Sequence, residues 1–162
     1  MSDNYAVING KRIELTDEQV KTLGIERKNP FDRVERYTEC YCINSSNIVE
    51  RSLDTHSVVD NNRYEVANYF NDEAFAKQVA LHQLLYRKLL KFTYDNGFED
   101  TVWNNKNEHW YIYYNYVNGY FDSQCNDSFK SQNVYFSSAG AANRAICEVV
   151  MPFVKEHPEF IW

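Results

Sequence analysis

Glycine is scarce in this chain, at 5 of 162 residues, and proline scarcer still, at 3. Such scarcity excludes collagen-like and low-complexity classes. It also leaves no glycine-rich loop to cradle a phosphate. The glycines read as turns and stops (Gly10, Gly24, Gly97, Gly119), with Gly140 opening a helix. No apolar run approaches the roughly 20 residues that a membrane-spanning helix needs. The first residues, Met1-Ser2-Asp3-Asn4-Tyr5, are polar and hold no signal-peptide core. The expectation is a cytoplasmic protein whose 4 cysteines are reduced thiols.

Catalytic signatures are missing as well. The histidines His56, His82, His109 and His157 fall in no HExxH pattern, and no GxSxG elbow occurs. Cys40 and Cys42 are separated by one residue, whereas structural zinc sites use a spacing of about two to four. On a strand both thiols project to one side, as small apolar residues of a packed face. Glu99-Asp100 sits in a loop, and Asp72-Glu73 in the first turn of a helix, where acids favour the dipole. His82 lies with Gln78 inside the apolar arc of a long helix. It reads as a core-edge residue bonded to a carbonyl or a tyrosine hydroxyl, or as a base lining a cleft. The chain is therefore expected not to be an enzyme and to need no metal or cofactor.

Aromatic residues are what the chain has in excess. They make up 16% of it, and tyrosine alone supplies 13. Tyrosine joins an apolar face to a hydroxyl that wants a partner, which suits half-buried sheets and binding surfaces alike. Hydrophobic residues reach 44%, enough to bury a core without disulfides or metal. The net charge of −6 disfavours generic nucleic-acid binding and suits a basic partner, including one that normally holds nucleic acid.

Asn9-Gly10 between Tyr5-Ala6-Val7-Ile8 and Lys11-Arg12-Ile13-Glu14-Leu15 predicts a tight hairpin, because both turn positions need positive φ. Thr16 then caps a helix from Asp17 to Leu23, with Gln19 completing a capping box and Gly24 as the stop. Asn29-Pro30-Phe31 is a connection. Arg36 to Ile43 and Ile48 to Leu53 read as strands around a turn at Ser45-Ser46-Asn47. Asp54 to Asn62 reads as a polar loop, and Tyr64 to Phe70 as a third strand. Asn71 caps the main helix, about Asp72 to Asp95, which stops at Asn96-Gly97. Phe75, Val79, Leu81, Leu85, Tyr86, Leu89, Leu90 and Phe92 fill half its wheel. Ala80 and Leu84 fall on the other half, which implies partial burial of both faces or a sticky ridge.

Trp110 to Tyr114 is a strand, followed by a turn at Asn118-Gly119 and a strand opening at Tyr120-Phe121. Asn133 to Phe136 is a last strand, and Ser137 or Ser138 caps the final helix. Ala142, Ala145, Ile146, Val149 and Phe153 form its stripe, and Pro152 should kink or break it. His157 to Trp162 ends apolar and should dock on the body.

Parts of the chain echo one another. Glu39-Cys40-Tyr41-Cys42-Ile43 resembles His109-Trp110-Tyr111-Ile112-Tyr113, and Asn68-Tyr69-Phe70-Asn71 resembles Val134-Tyr135-Phe136-Ser137. Ala76 matches Ala142 at the same offset. The expected fold is α+β. Residues 29–97 and 98–162 would each form three antiparallel strands and a helix, a degenerate internal repeat. A hairpin and short helix over 1–28 would precede them, all in one compact domain.

The runs Leu15-Thr16-Asp17-Glu18-Gln19 and Asn29-Pro30-Phe31-Asp32-Arg33-Val34 carry a further likeness, as do Tyr64 to Phe70, Val134-Tyr135-Phe136-Ser137-Ser138 and Pro152-Phe153 to Trp162. Together they resemble a group of short prophage-encoded accessory proteins of Gram-positive bacteria. The shared motifs are strand ends and caps, so no functional residue is carried over. The resemblance implies a mobile-element protein inside a host bacterial cell, and such accessory proteins often bind and inhibit host defence machinery.

The strand Trp110 to Tyr116 is the most unusual run. Alternation puts Trp110, Ile112, Tyr114 and Tyr116 on one face and Tyr111, Tyr113 and Asn115 on the other. One face must cover the core, leaving the other part-solvated. Trp110, Tyr111, Tyr113, Tyr114, Tyr116 and Tyr120 are accordingly the candidate partner-binding residues. Lys77, Arg87, Lys88 and Lys91 form a basic ridge on the main helix, a solvated face or an anion and nucleic-acid contact. The leading expectation is a non-enzymatic phage accessory protein that binds and modulates a host protein, conceivably a CRISPR nuclease. The alternatives are a nucleic-acid module that stacks bases on the tyrosine face, and a small-ligand sequestering protein.

Overall fold

The computed structural model of the chain describes residues 5–8, 11–24, 29–98, 103, 107–126 and 128–162. Two β-prone runs pair first, β1 (Tyr5–Ile8) with β2 (Lys11–Glu14), antiparallel with Ile8 opposite Lys11. That register matches the expected hairpin, whose turn residues Asn9 and Gly10 lie outside the described residues. Helix α1 (Asp17–Thr22) follows. The Thr16 side chain accepts from the Gln19 amide while the Gln19 side chain bonds the Thr16 amide. Gly24, at φ 63°, ends the turn as expected.

Strands β3 (Glu39–Ile43) and β4 (Val49–Leu53) form a second antiparallel hairpin, and β5 (Trp110–Asn115) and β6 (Tyr120–Cys125) a third. Asn47, at φ 65°, closes the second turn, where asparagine tolerates the left-handed region. Strand β3 starts later than the sequence implied, because Tyr37 takes φ 68° and breaks the extended run.

The architecture is α+β, but the expected three-stranded sheets are absent among the described residues, where every sheet has two strands. Tyr64 to Phe70 is not a strand. Ser57 and Asp60 form a capping box inside the supposed polar loop and start helix α2 (Val58–Glu65). Ala67 then turns the chain at φ 55°, and only Phe70 reaches the hairpin, exchanging backbone bonds of 2.8 and 2.9 Å with Tyr41. Asn133 to Phe136 likewise contributes a single bridge, Phe136 with Trp110. Local capping outcompeted the β-propensity of tyrosine and valine in the first case, as a box satisfies two amide groups without a partner strand.

The two halves correspond more closely than the echo in the sequence, with one change of register. The bridges equate Tyr41 with Trp110, so Ile43 matches Ile112, and both are buried. Tyr69 and Tyr135 are buried alike, as are Phe70 with Phe136 and Ala76 with Ala142. Asp72, rather than Asn71, caps α3 (Glu73–Asp95), and Ser138 caps α4 (Ala139–Ala145), each accepting from the amide three residues on.

Helix α3 serves both halves. Ala76 and Ala80 pack with Ile43 and Phe70. Leu81, Leu85 and Leu89 pack with Ile112, Val134, Phe136 and the final helices. These two sets lie roughly 160° apart on the wheel of an α-helix. Ala80 is thus buried and Leu84 half-buried, the first of the two expected outcomes.

Beyond α4 the helix does not break. It widens through one π-helical turn, Ile146–Val150, and continues as α5 (Met151–Glu156). Pro152 has no amide to give and its ring crowds the preceding turn; the wider turn accommodates both. Phe160 and Trp162 then pack on the core, so residues 157–162 dock as expected. Gln78 explains its own place on the apolar arc here. Its carboxamide donates to the Glu159 carbonyl at 2.7 Å and accepts from the Ile161 amide at 3.0 Å. No helix among the described residues is long and apolar enough to cross a membrane.

Gln78→Ala should release this segment while sparing the rest of the fold. Hydrogen exchange of the Ile161 amide should speed up, and Trp162 fluorescence should shift red. Unchanged protection of Ile161 would show that Phe160 and Trp162 alone anchor the segment.

Candidate functional site

Asp54 is the most deeply buried carboxylate among the described residues. Its oxygens are saturated. Arg33 donates through Nε at 2.8 Å and Nη2 at 3.1 Å, the Tyr69 hydroxyl at 2.9 Å, and the His56 amide at 2.7 Å. The Arg33 guanidinium holds the carboxyl far below its usual range, against the opposing effect of burial. Burial pushes the Tyr69 hydroxyl up, so it stays a donor to Asp54 while accepting from the Val34 amide. This network ties the 33–34 segment, the end of β4 and Tyr69 together and leaves no lone pair for a substrate. Asp60 resembles it. Burial would raise its pKa, yet bonds from Ser57 and Thr55 overcome this and hold it low.

Cys40 and Cys42 are both buried on one face of β3, and burial pushes both thiols up, away from the reactive thiolate. Among the described residues no group of three His, Cys, Asp or Glu side chains is close enough to hold a metal. His109 is buried, stacked on Trp103 with ring centroids 3.8 Å apart. His82 is not at the core edge as expected. It is exposed, with its ring 4.7 Å from that of Phe160.

His82 lies instead on the rim of a cleft of about 820 Å³. One wall is the C-terminal half of α3, with Leu85, Tyr86, Arg87 and Leu89. The opposite wall is β5 at Tyr111, Ile112 and Tyr113. Gln132, Asn133, Val134 and Phe136, with Phe160 and Trp162, close the sides. Its size falls in the range of natural ligand clefts, and its wall is mostly apolar.

The candidate residues divide over this geometry. Tyr111 and Tyr113 line the cleft, half-buried. Their hydroxyls donate across the hairpin to Gln124 at 3.2 Å and Asp122 at 3.1 Å. Burial and the Asp122 carboxylate raise the Tyr113 pKa, keeping that hydroxyl a donor. Trp110 turns toward the core side and donates its indole proton to Glu108 at 2.8 Å. Tyr114 packs between Tyr116 and Phe121. Tyr116 and Tyr120 are exposed at the hairpin tip, beside a smaller hollow of about 490 Å³ shared with Met151, Ile161 and Trp162. The tyrosine run is therefore two surfaces, not one.

The basic ridge is largely engaged. Lys77 pairs with Glu73 at 2.7 Å, Lys91 pairs with Asp95, and Arg87 donates to Asn47. Lys88 is exposed with no carboxylate partner among the described residues.

Sequence reasoning did not find Phe136, Phe160, Trp162 or Gln83 as cleft residues. The signal available was the polar pair Gln78 and His82 inside an apolar arc, which marks where the closing segment and the cleft meet α3. No protein-family model matches the chain, and no curated protein or solved structure matches it.

Asp54→Ala should destabilise the fold by about 1–3 kcal/mol, since it strands the buried Tyr69 hydroxyl. Tyr69→Phe should cost about 1 kcal/mol. Folding holds Asp54 ionised more firmly than the unfolded chain does. Its contribution is therefore complete above about pH 4 and drains away as pH falls further. Urea midpoints at pH 7 and pH 3 check this: the variant should lose less on acidification than the wild type.

Proposed function

We propose that this chain works by stoichiometric protein binding, through the cleft between α3 and the tyrosine strand. The cleft carries the reading: a mostly apolar hollow of about 820 Å³, walled by half-buried tyrosines and open to a partner. Tyrosine is favoured where interfaces are desolvated, because it offers area at little entropic cost. In the setting implied by the resemblance, the target is a host defence protein such as a CRISPR nuclease, and the chain is a non-enzymatic accessory of a phage or other mobile element. The two strand-pair-plus-helix halves are read as one unit used twice.

Nucleic-acid binding is the weaker reading, because carboxylates or amides already engage Lys77, Lys91 and Arg87. The cleft volume supports a second reading, the sequestering of a small apolar molecule.

A photo-crosslinking residue in place of Tyr111, with a control at Lys155, tests this in lysate of the bacterial host. One discrete protein adduct at 111 and none at 155 is expected. An adduct with lipophilic small molecules alone would favour sequestering. A mobility shift of oligonucleotides at physiological salt that Lys88→Glu abolishes would overturn protein binding in favour of nucleic acid.

A further inference from the structure

The two halves differ at one position that governs a strand edge. In the first half β3 exchanges backbone bonds with Phe70 through Tyr41. Two residues on, the same edge presents the amide and carbonyl of Ile43. Asn68 satisfies both: Ile43 N donates to its Oδ1 at 2.8 Å, and its Nδ2 donates to the Ile43 carbonyl at 2.8 Å. A side-chain carboxamide stands in for one residue of a third strand.

In the second half β5 exchanges backbone bonds with Phe136 through Trp110, at 3.0 and 2.7 Å. The residue two before Phe136, corresponding to Asn68, is Val134. Valine has no carboxamide, and no bond reaches Ile112 from it. The direction of the β5 groups follows from alternation along an antiparallel strand. The His109 carbonyl accepts from the Asn126 amide and the Asn115 carbonyl from the Gly119 amide, so the odd positions face β6. Trp110, Ile112 and Tyr114 therefore face the other way. The bridge to Phe136 occupies Trp110 alone. Among the described residues no backbone partner meets Ile112, at the cleft wall, or Tyr114 beyond it on this edge.

We propose that β5 is a strand-addition site: an extended segment of the partner protein pairs with the backbone of Ile112 and Tyr114. Its alternate apolar side chains enter the cleft against Leu85, Leu89 and Phe136. Among the residues lining the cleft are Arg87 and His82 but no aspartate or glutamate, in a chain of net charge −6. The segment that fits is thus β-prone and apolar at alternate positions, with an acidic residue toward α3. Backbone bonds supply affinity in such complexes and the alternate pockets supply selectivity. This inference rests on the protein-binding reading and names its mode.

The test uses the full-length, ¹⁵N-labelled chain and the synthetic peptide acetyl-Glu-Thr-Val-Thr-Val-Thr-amide. Saturable shifts of the Ile112 and Tyr114 amides are expected. Two N-methylated versions of the peptide, blocked at alternate residues, should differ by at least about tenfold in affinity, because only one set of amides faces β5. Val134→Asn restores the carboxamide found at Asn68, and should weaken the peptide by about tenfold while Val134→Ile does not. If Val134→Asn fails to fold, the peptide pair still decides. No shift at Ile112 and Tyr114 at millimolar peptide, or equal binding of both N-methylated forms, overturns strand addition. A protein adduct at position 111 under either of those outcomes would leave protein binding standing without it. The expected peptide results with no adduct would establish the edge and remove the host partner.

Discussion

A long helix that is apolar on two sides has to be covered on two sides, and the rest of this structure follows from that constraint. Ala76 and Ala80 near the start of α3 face one way, and Leu81, Leu85 and Leu89 face the other. The small residues pack in one buried cluster with Ile43 and Phe70. The leucines hold the second half off at side-chain length. The second half leaves a cleft of about 820 Å³ beside the helix, and the β3–β4 turn a smaller hollow of about 590 Å³. Burial of about 25 cal/mol for each Å² of apolar surface favours both arrangements, so what differs is shape and not driving force.

Polar satisfaction follows the same division. In the first half Asp54 gathers Arg33, Tyr69 and the His56 amide, and Asn68 caps the edge of β3. The buried carboxylate and the strand edge there are matched by hydrogen bonds. The second half relies on rings instead: Trp103 on His109, and Tyr135 against Trp103 and Tyr111. Aromatic packing is less directional than a charged network, so it tolerates an open strand edge. The cleft and the Asp54 network are in this way placed on different sides of one helix.

Local signals in the sequence proved reliable where the physics is local. Thr16 with Gln19, Asn47 at its turn and Gly24 at its stop behave as their side chains require, whatever packs around them. Ser57 with Asp60 was an equally local signal, hidden in a stretch that read as polar loop. The tyrosine-rich segments around Tyr69 and Tyr135 misled for the opposite reason. Their β-propensity reflects fitness for a half-buried pleated surface, and here the rings are buried beside single bridges rather than along a third strand.

The amino-acid sequence by itself determined the class of fold, the three hairpins and the cap of α1. Each depends on residues a few positions apart. Only the tertiary structure decided which tyrosines share a surface, that Ala80 is core, that Gln78 holds residues 159 and 161, and that among the described residues Ile112 lacks the partner Ile43 has. These facts depend on residues far apart in the chain meeting across α3. The difference between Asn68 and Val134 is written in the sequence, but it has meaning only once the Phe70 and Phe136 bridges fix which strand edge each residue stands beside.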